Sequence, residues 1–148
     1  MQLLVNLDVP DLVAAERLYC DAFGLRAGRR FGEAGLELLG AGVPVYLLAQ
    51  PAGSPGAAGQ PREYARHWTP VHLDVVVDDL EAALERALAC GFRADDLPAA
   101  EAQAPGRART TVRRAAWGDL VRLADPFGHG WCLIRFSAIG YDAIADRG

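Results

Sequence analysis

The chain has 148 residues, 51% hydrophobic and 23% charged, enough to bury a core without disulfides or metal and too apolar for disorder. Fifteen basic against nineteen acidic residues give a formal charge of -4, which disfavours nonspecific attachment to nucleic acid or anionic membrane. The basic clusters at Arg26 to Arg30 and Arg107 to Arg114 lack interleaved aromatics for stacking on bases. Met1 to Val5 shows no basic leader followed by a long apolar run, no stretch has bilayer-spanning length, and Cys20, Cys90 and Cys132 contain no CxxC pair. A cytoplasmic protein is expected, with reduced, mainly buried cysteines and no nucleic-acid or membrane partner.

Leu3 to Val9 alternates as a strand does. Asp11 to Phe23 follows, with Leu12, Ala15, Leu18, Tyr19 and Ala22 on one helical face and Gly24 as its stop. Short strands are predicted at Arg26 to Phe31, Leu36 to Leu39 and Val43 to Leu48, with Glu33 in a turn. Gln50 to Gln60 gathers Pro, Gly and small residues that oppose a packed helix or strand. Val71 to Val75 then alternates again. Asp78 is predicted to cap a helix with Glu81 completing a capping box, and Leu80, Leu84, Ala87 and Leu88 form the buried face before Gly91. Arg93 to Arg109 reads as a longer connection of undetermined conformation, and strands are predicted at Thr110 to Ala115, Asp119 to Ala124 and Trp131 to Phe136.

Val5-Asn6-Leu7-Asp8-Val9 superposes on Val71-His72-Leu73-Asp74-Val75, and Phe23-Gly24-Leu25 on Cys90-Gly91-Phe92, with a one-residue change of offset. This is a repeat of organisation, βαβββ twice: residues 1–49 form the first module, 50–69 a linker or rim loop, 70–136 the second module and 137–148 a C-terminal tail. The expected class is α+β, with two βαβββ modules forming a curved mixed sheet around a ligand cleft.

In this arrangement, Val71 to Asp79 with its following helix, and Trp117-Gly118-Asp119 through Asp125-Pro126-Phe127-Gly128-His129-Gly130-Trp131, resemble the vicinal-oxygen-chelate superfamily of glyoxalases, bleomycin-resistance proteins and extradiol dioxygenases. The resemblance spans the whole chain as one structural unit and implies a homodimer. It also implies metal-ligand places near Asn6, Tyr46, His72 and Cys132. Of these only His72 carries the expected imidazole, while Tyr46 and Cys132 stand where carboxylates would be sought. The resemblance with that departure implies no metal and no cofactor.

Strand alternation points to a pocket. With Val5, Leu7 and Val9 turned to the core, Asn6 and Asp8 face the other way, as do His72 and Asp74 opposite Val71, Leu73 and Val75. Tyr46, Leu48, Cys132 and Ile134 extend that face, and Arg122 joins it by alternating against Val121 and Leu123. The ligand-binding set is therefore Asn6, Asp8, Tyr46, Leu48, His72, Asp74, Arg122, Cys132 and Ile134. Arg122 would grip a charged ligand; the competing reading pairs it internally with Asp74 or Asp8. His129 reads as a turn residue, Trp117 and Trp131 as packing residues, and His67-Trp68 as a mobile rim or a packed hinge.

The leading functional expectation is metal-independent binding or sequestration of a small organic compound, as bleomycin-resistance relatives do. A lyase, isomerase or oxygenase is the enzyme alternative, either metal-dependent or with His72 as acid or base, Asp74 tuning it and Arg122 stabilising negative charge. A non-catalytic accessory module that binds another protein is the third.

Overall fold

The computed structural model describes residues 1–95 and 111–146. The chain divides into two compact units, Met1–Ala65 and Arg66–Gly148. Among the described residues none forms a helix long and apolar enough to cross a membrane.

The first unit runs β1 (Val5–Val9), α1 (Leu12–Phe23), β2 (Arg26–Arg30), β3 (Gly35–Leu39) and β4 (Val45–Ala49). Asp11 caps α1 by accepting from the Val13 and Ala14 amides at 2.9 and 3.0 Å, and Gly24 closes it in the left-handed conformation at φ 69°. The sheet order is β1-β4-β3-β2, with β1 parallel to β4 and the remaining pairs antiparallel. Leu7 pairs with Leu47, and Leu47 with Leu36, so these three share one face; with Val9 and Leu38 they are almost wholly buried, as are Ala15, Leu18, Tyr19 and Ala22 of α1. The alternate residues Asn6, Asp8, Tyr46, Leu48 and Glu37 point away from this core. The expected first strand loses Leu3 and Leu4, both exposed, because the ladder begins where Val5 donates to the Pro44 carbonyl. In the breaker-rich stretch, a single 3-10 turn at Ala57–Gly59 is flanked by a bridge between Pro55 and Pro61.

The second unit repeats the pattern with β5 (Leu73–Val76), α2 (Leu80–Cys90), β6 (Arg93–Ala94), β7 (Arg113–Ala115), β8 (Gly118–Ala124) and β9 (Gly130–Phe136). Its order is β5-β9-β8-β6, again with the first and last strands parallel, and β7 also pairs with β8. The place that β2 fills in the first sheet is thus filled by two short pieces, β6 against Leu123 and Ala124 and β7 against Gly118 to Leu120. This corrects the reading of Arg93 onward as connection: the edge strand starts two residues after Gly91. Most of the expected connection, and Thr110 at the start of the expected next strand, lie outside the described residues.

Two further expectations change. The helix cap is Asp79, whose carboxylate accepts from the Ala82 amide at 2.9 Å, so α2 begins one residue later than the capping-box pattern on Asp78 required. Glu81 lies in the first turn, where it complements the helix dipole. The buried face is Leu80, Ala83 and Ala87; Leu84 and Leu88, expected there, are only half-buried, and Ala83 turns to the core instead. Val71 and His72 stay out of β5 because the Thr69 hydroxyl donates to the Val71 carbonyl at 2.7 Å.

Asp125, fully buried in the turn between β8 and β9, fixes that turn. Its carboxylate accepts from the Phe127 and His129 amides at 2.9 and 3.0 Å and from the Trp131 indole at 2.8 Å, and lies 2.9 Å from His129 Nδ1. His129 is therefore the turn residue its glycine-rich setting implied. Trp131 packs edge-on against Phe92, and Trp117 packs with Phe136 and Tyr141, both as expected. Trp68 is 82% exposed, which favours the rim reading of His67-Trp68 over a packed hinge. Of the cysteines only Cys132 is buried; Cys20 and Cys90 are half-buried because each lies beside its helix's core stripe.

Candidate functional site

In the second unit, Asp74 pairs across β9 with Cys132, and Cys132 across β8 with Arg122. The Asp95 amide donates to the Arg122 carbonyl at 3.2 Å. One rung therefore carries Asp74, Cys132, Arg122 and Asp95 on the face away from the apolar residues Leu73, Leu133, Val121 and Leu123. His72 lies two residues before Asp74, so it extends the same face toward Gly130.

A cleft of about 170 Å³ opens here, with Arg66, Thr69, His72, Asp95, Arg122 and Cys132 in its lining and Gly130 and Trp131 beside them. That is below the few hundred Å³ usual for drug-sized ligands, so it suits a small molecule or one end of a larger one. Arg66 reaches it from the segment before β5 and is held by Asp95 through both carboxylate oxygens at 2.7 to 3.1 Å; it also donates to the His67 carbonyl. A methyl group at Gly130 would come within 2.8 Å of the Arg66 guanidinium, so the bare backbone there makes room for that arginine.

His72 Nε2 stands 3.3 Å from Asp74 Oδ1. The Cys132 thiol is pushed up to about 11, first by burial and then by the charge of the neighbouring Asp74 carboxylate; it stays protonated at neutral pH. Among the described residues Arg122 makes no side-chain hydrogen bond or ion pair. The expected internal pairing with Asp74 or Asp8 is therefore replaced by two separate arrangements: Cys132 stands between Arg122 and Asp74, and Asp8 is taken by Arg62 at 2.7 Å.

The corresponding face of the first unit is organised differently. Asn6 pairs with Tyr46 and Tyr46 with Glu37. A bulge sets Gly28 and Arg29 against the single residue Glu37. Arg29 then binds the Glu37 carboxylate through its backbone amide at 3.2 Å, Nε at 2.9 Å and Nη2 at 2.6 Å. The Tyr46 hydroxyl donates to Glu37 at 3.1 Å and accepts from Arg29 at 2.9 Å. These bonds hold the Glu37 carboxyl down at about 2, with the Arg29 side chain as the largest cause. Asn6, Tyr46 and Leu48 line a mainly apolar cleft of about 270 Å³ with Phe31 and Leu4.

The residues the sequence singled out thus separate. His72, Asp74, Cys132 and Arg122 converge in the second unit; Asn6, Tyr46 and Leu48 share a cleft in the first; Asp8 is neutralised. Ile134 shares the face of Cys132 but is 1% exposed and outside the cleft lining. Arg66, Thr69, Asp95, Arg29 and Glu37 were missed. Glu37 was visible as the polar member of Leu36-Glu37-Leu38, and Asp95 as the second polar position of Arg93-Ala94-Asp95; Arg66 sits in no periodic segment.

His72, Asp74 and Cys132 each place one possible ligand atom within 4.8 Å of the others. The four-place set implied by the resemblance does not fit these residues. Tyr46 already serves Glu37 and Arg29, Asn6 offers only an amide, and neither Tyr46 nor Cys132 supplies the carboxylate sought at its place.

A family model described as Glyoxalase-like domain matches residues 4–134. No curated protein matches the chain by sequence. Solved structures with the same fold include a glyoxalase-related enzyme from Fulvimarina pelagi, at 17% identity over 91% of this chain and 87% of that one, with a TM-score of 0.64. A genomically encoded fosfomycin resistance protein from Listeria monocytogenes aligns at 15% identity over 93% and 94%, TM-score 0.64. A glyoxalase/bleomycin resistance protein from Albidiferax ferrireducens aligns at 14% identity over 90% and 97%, TM-score 0.59.

Proposed function

This chain belongs to the glyoxalase-like domain family, and we propose that it binds a small organic compound without a metal, in the second-unit cleft formed around Arg122, Cys132 and His72. The carrying observation is the state of the polar groups there. Arg66 is oriented by Asp95 and the Cys132 thiol is protonated, while the Arg122 guanidinium has no hydrogen-bonding or ionic partner among the described residues. A preorganised cleft whose Arg122 guanidinium has no partner among the described residues is suited to binding, and requires no bond to be broken. The bleomycin-resistance naming of one structural neighbour agrees with sequestration. A homodimer is proposed with it, from the superfamily resemblance.

A second reading is favoured by one distance. His72 Nε2 at 3.3 Å from Asp74 Oδ1 forms a base and an orienting carboxylate on the cleft edge, so His72 would move a proton while Arg122 stabilised the charge that develops. The enzyme and fosfomycin-resistance names of two neighbours agree with this alternative.

Native mass spectrometry of gently purified protein, followed by denaturing analysis of what it releases, tests the proposal. A retained organic compound on a dimer is expected. A stoichiometric divalent ion would overturn the metal-free reading, and chemical change of the released compound by the protein would favour the enzyme over the binder.

A further inference from the structure

Among the described residues, the second sheet carries more positive charge on its cleft face than its own carboxylates neutralise. Arg122 is central. Arg93 pairs with Ala124 and Arg113 with Leu120, each two residues along β8 from Arg122, so all three arginines belong to one face. Among the described residues none of the three makes a side-chain hydrogen bond or ion pair. The described carboxylates on that face have nearer neighbours than Arg122: Asp95 is bound to Arg66 at 2.7 Å, and Asp74 lies 3.3 Å from His72 and beside the Cys132 thiol. Directly opposite Arg122 stands Cys132, a neutral thiol, where an acidic residue would have met the guanidinium. The excess is local, since the whole chain carries a formal charge of -4.

Resting on the reading of this cleft as the ligand site, we infer that its ligand is a small organic acid whose carboxylate, phosphonate or phosphate oxygens are clamped by Arg122. The planar guanidinium fork matches two oxygens of such a group, and Arg93 and Arg113 add an attractive field along the same face. Arg66, pinned by Asp95 over Gly130, contributes to one end of the cleft without surrendering its own ion pair. The neutral Cys132 is the specificity-determining position: it leaves Arg122 open.

The test is a titration of the full-length protein with benzoate, phenylphosphonate and neutral benzamide, followed by amide chemical shifts. Saturable shifts at Arg122, Cys132 and Gly130 are expected with the two anions, with benzamide at least about tenfold weaker. Their relative affinities distinguish a carboxylate from a phosphonate-type ligand. R122Q should weaken the anions about tenfold or more, and C132E should do the same by supplying Arg122 with an internal partner. Melting curves check that each variant is folded; should C132E fail to fold, R122Q decides. Benzamide binding at the same amides as tightly as benzoate, or full affinity in folded R122Q, would overturn the anion inference and leave the small-molecule reading standing. Absence of cleft shifts with all three probes would overturn both.

Discussion

The two units have the same strand order and the same apolar spacing, yet their polar faces carry opposite solutions. In the first, the central charge is Glu37, enclosed by Arg29 and Tyr46. In the second it is Arg122, facing a thiol. One set of alternate residues builds the sheet, and the other is left free to diverge; a repeat can therefore preserve fold while exchanging a closed charge network for an open one.

The largest expected effect lies in the turn that only the second unit builds around a buried acid. D125A removes the acceptor for two amides and an indole in a site with no exposure, and should cost about 3 kcal/mol or more in urea unfolding. Next are the positions where the halves should agree. Leu47 and Leu133 each lie on the last strand of their sheet, fully buried. L47A and L133A should each cost about 3 kcal/mol, and a wide gap between them would show that the two cores are not equivalent.

Acid and base should then separate the units. Glu37 is held at about 2 against an ordinary 4.5, so the unfolded chain binds the extra proton between those values. Stability from this group is complete above about 4.5 and is lost as pH falls toward 2; E37Q should flatten that limb of an acid-unfolding curve. Cys132 behaves in the other direction. With its thiol at about 11 against 9.0, the folded state retains the proton longer, and stability falls as pH rises from 9.0 to 11. C132S should remove this alkaline component, the smallest of these effects, and wild-type Cys132 should resist alkylation at pH 8.

Most of the fold was legible because it rests on period-two and helical apolar spacing. Leu7, Val9, Leu18 and Leu133 declare their faces locally. What failed were features decided by one-residue choices or by partners distant in sequence. Asp78 and Asp79 are equivalent as sequence and differ only in which reaches the Ala82 amide. β6 spans two residues, too short for a period, and is defined by pairing with Leu123 and Ala124. The site was half legible for the same reason. Alternation placed His72, Asp74, Arg122 and Cys132 on one face, but it could not show that Asp8 is taken by Arg62, that Arg66 finds Asp95, or that a bulge at Gly28 delivers Arg29 to Glu37.

The open-versus-closed contrast is tested most directly by measuring benzoate affinity in R122Q and R29Q side by side. Among the described residues the guanidinium lost in R122Q has no hydrogen-bonding or ionic partner, while the one lost in R29Q already belongs to Glu37 and Tyr46. R122Q should bind about tenfold more weakly or worse, with R29Q unchanged. Equal losses in the two, or none in R122Q, would contradict the account.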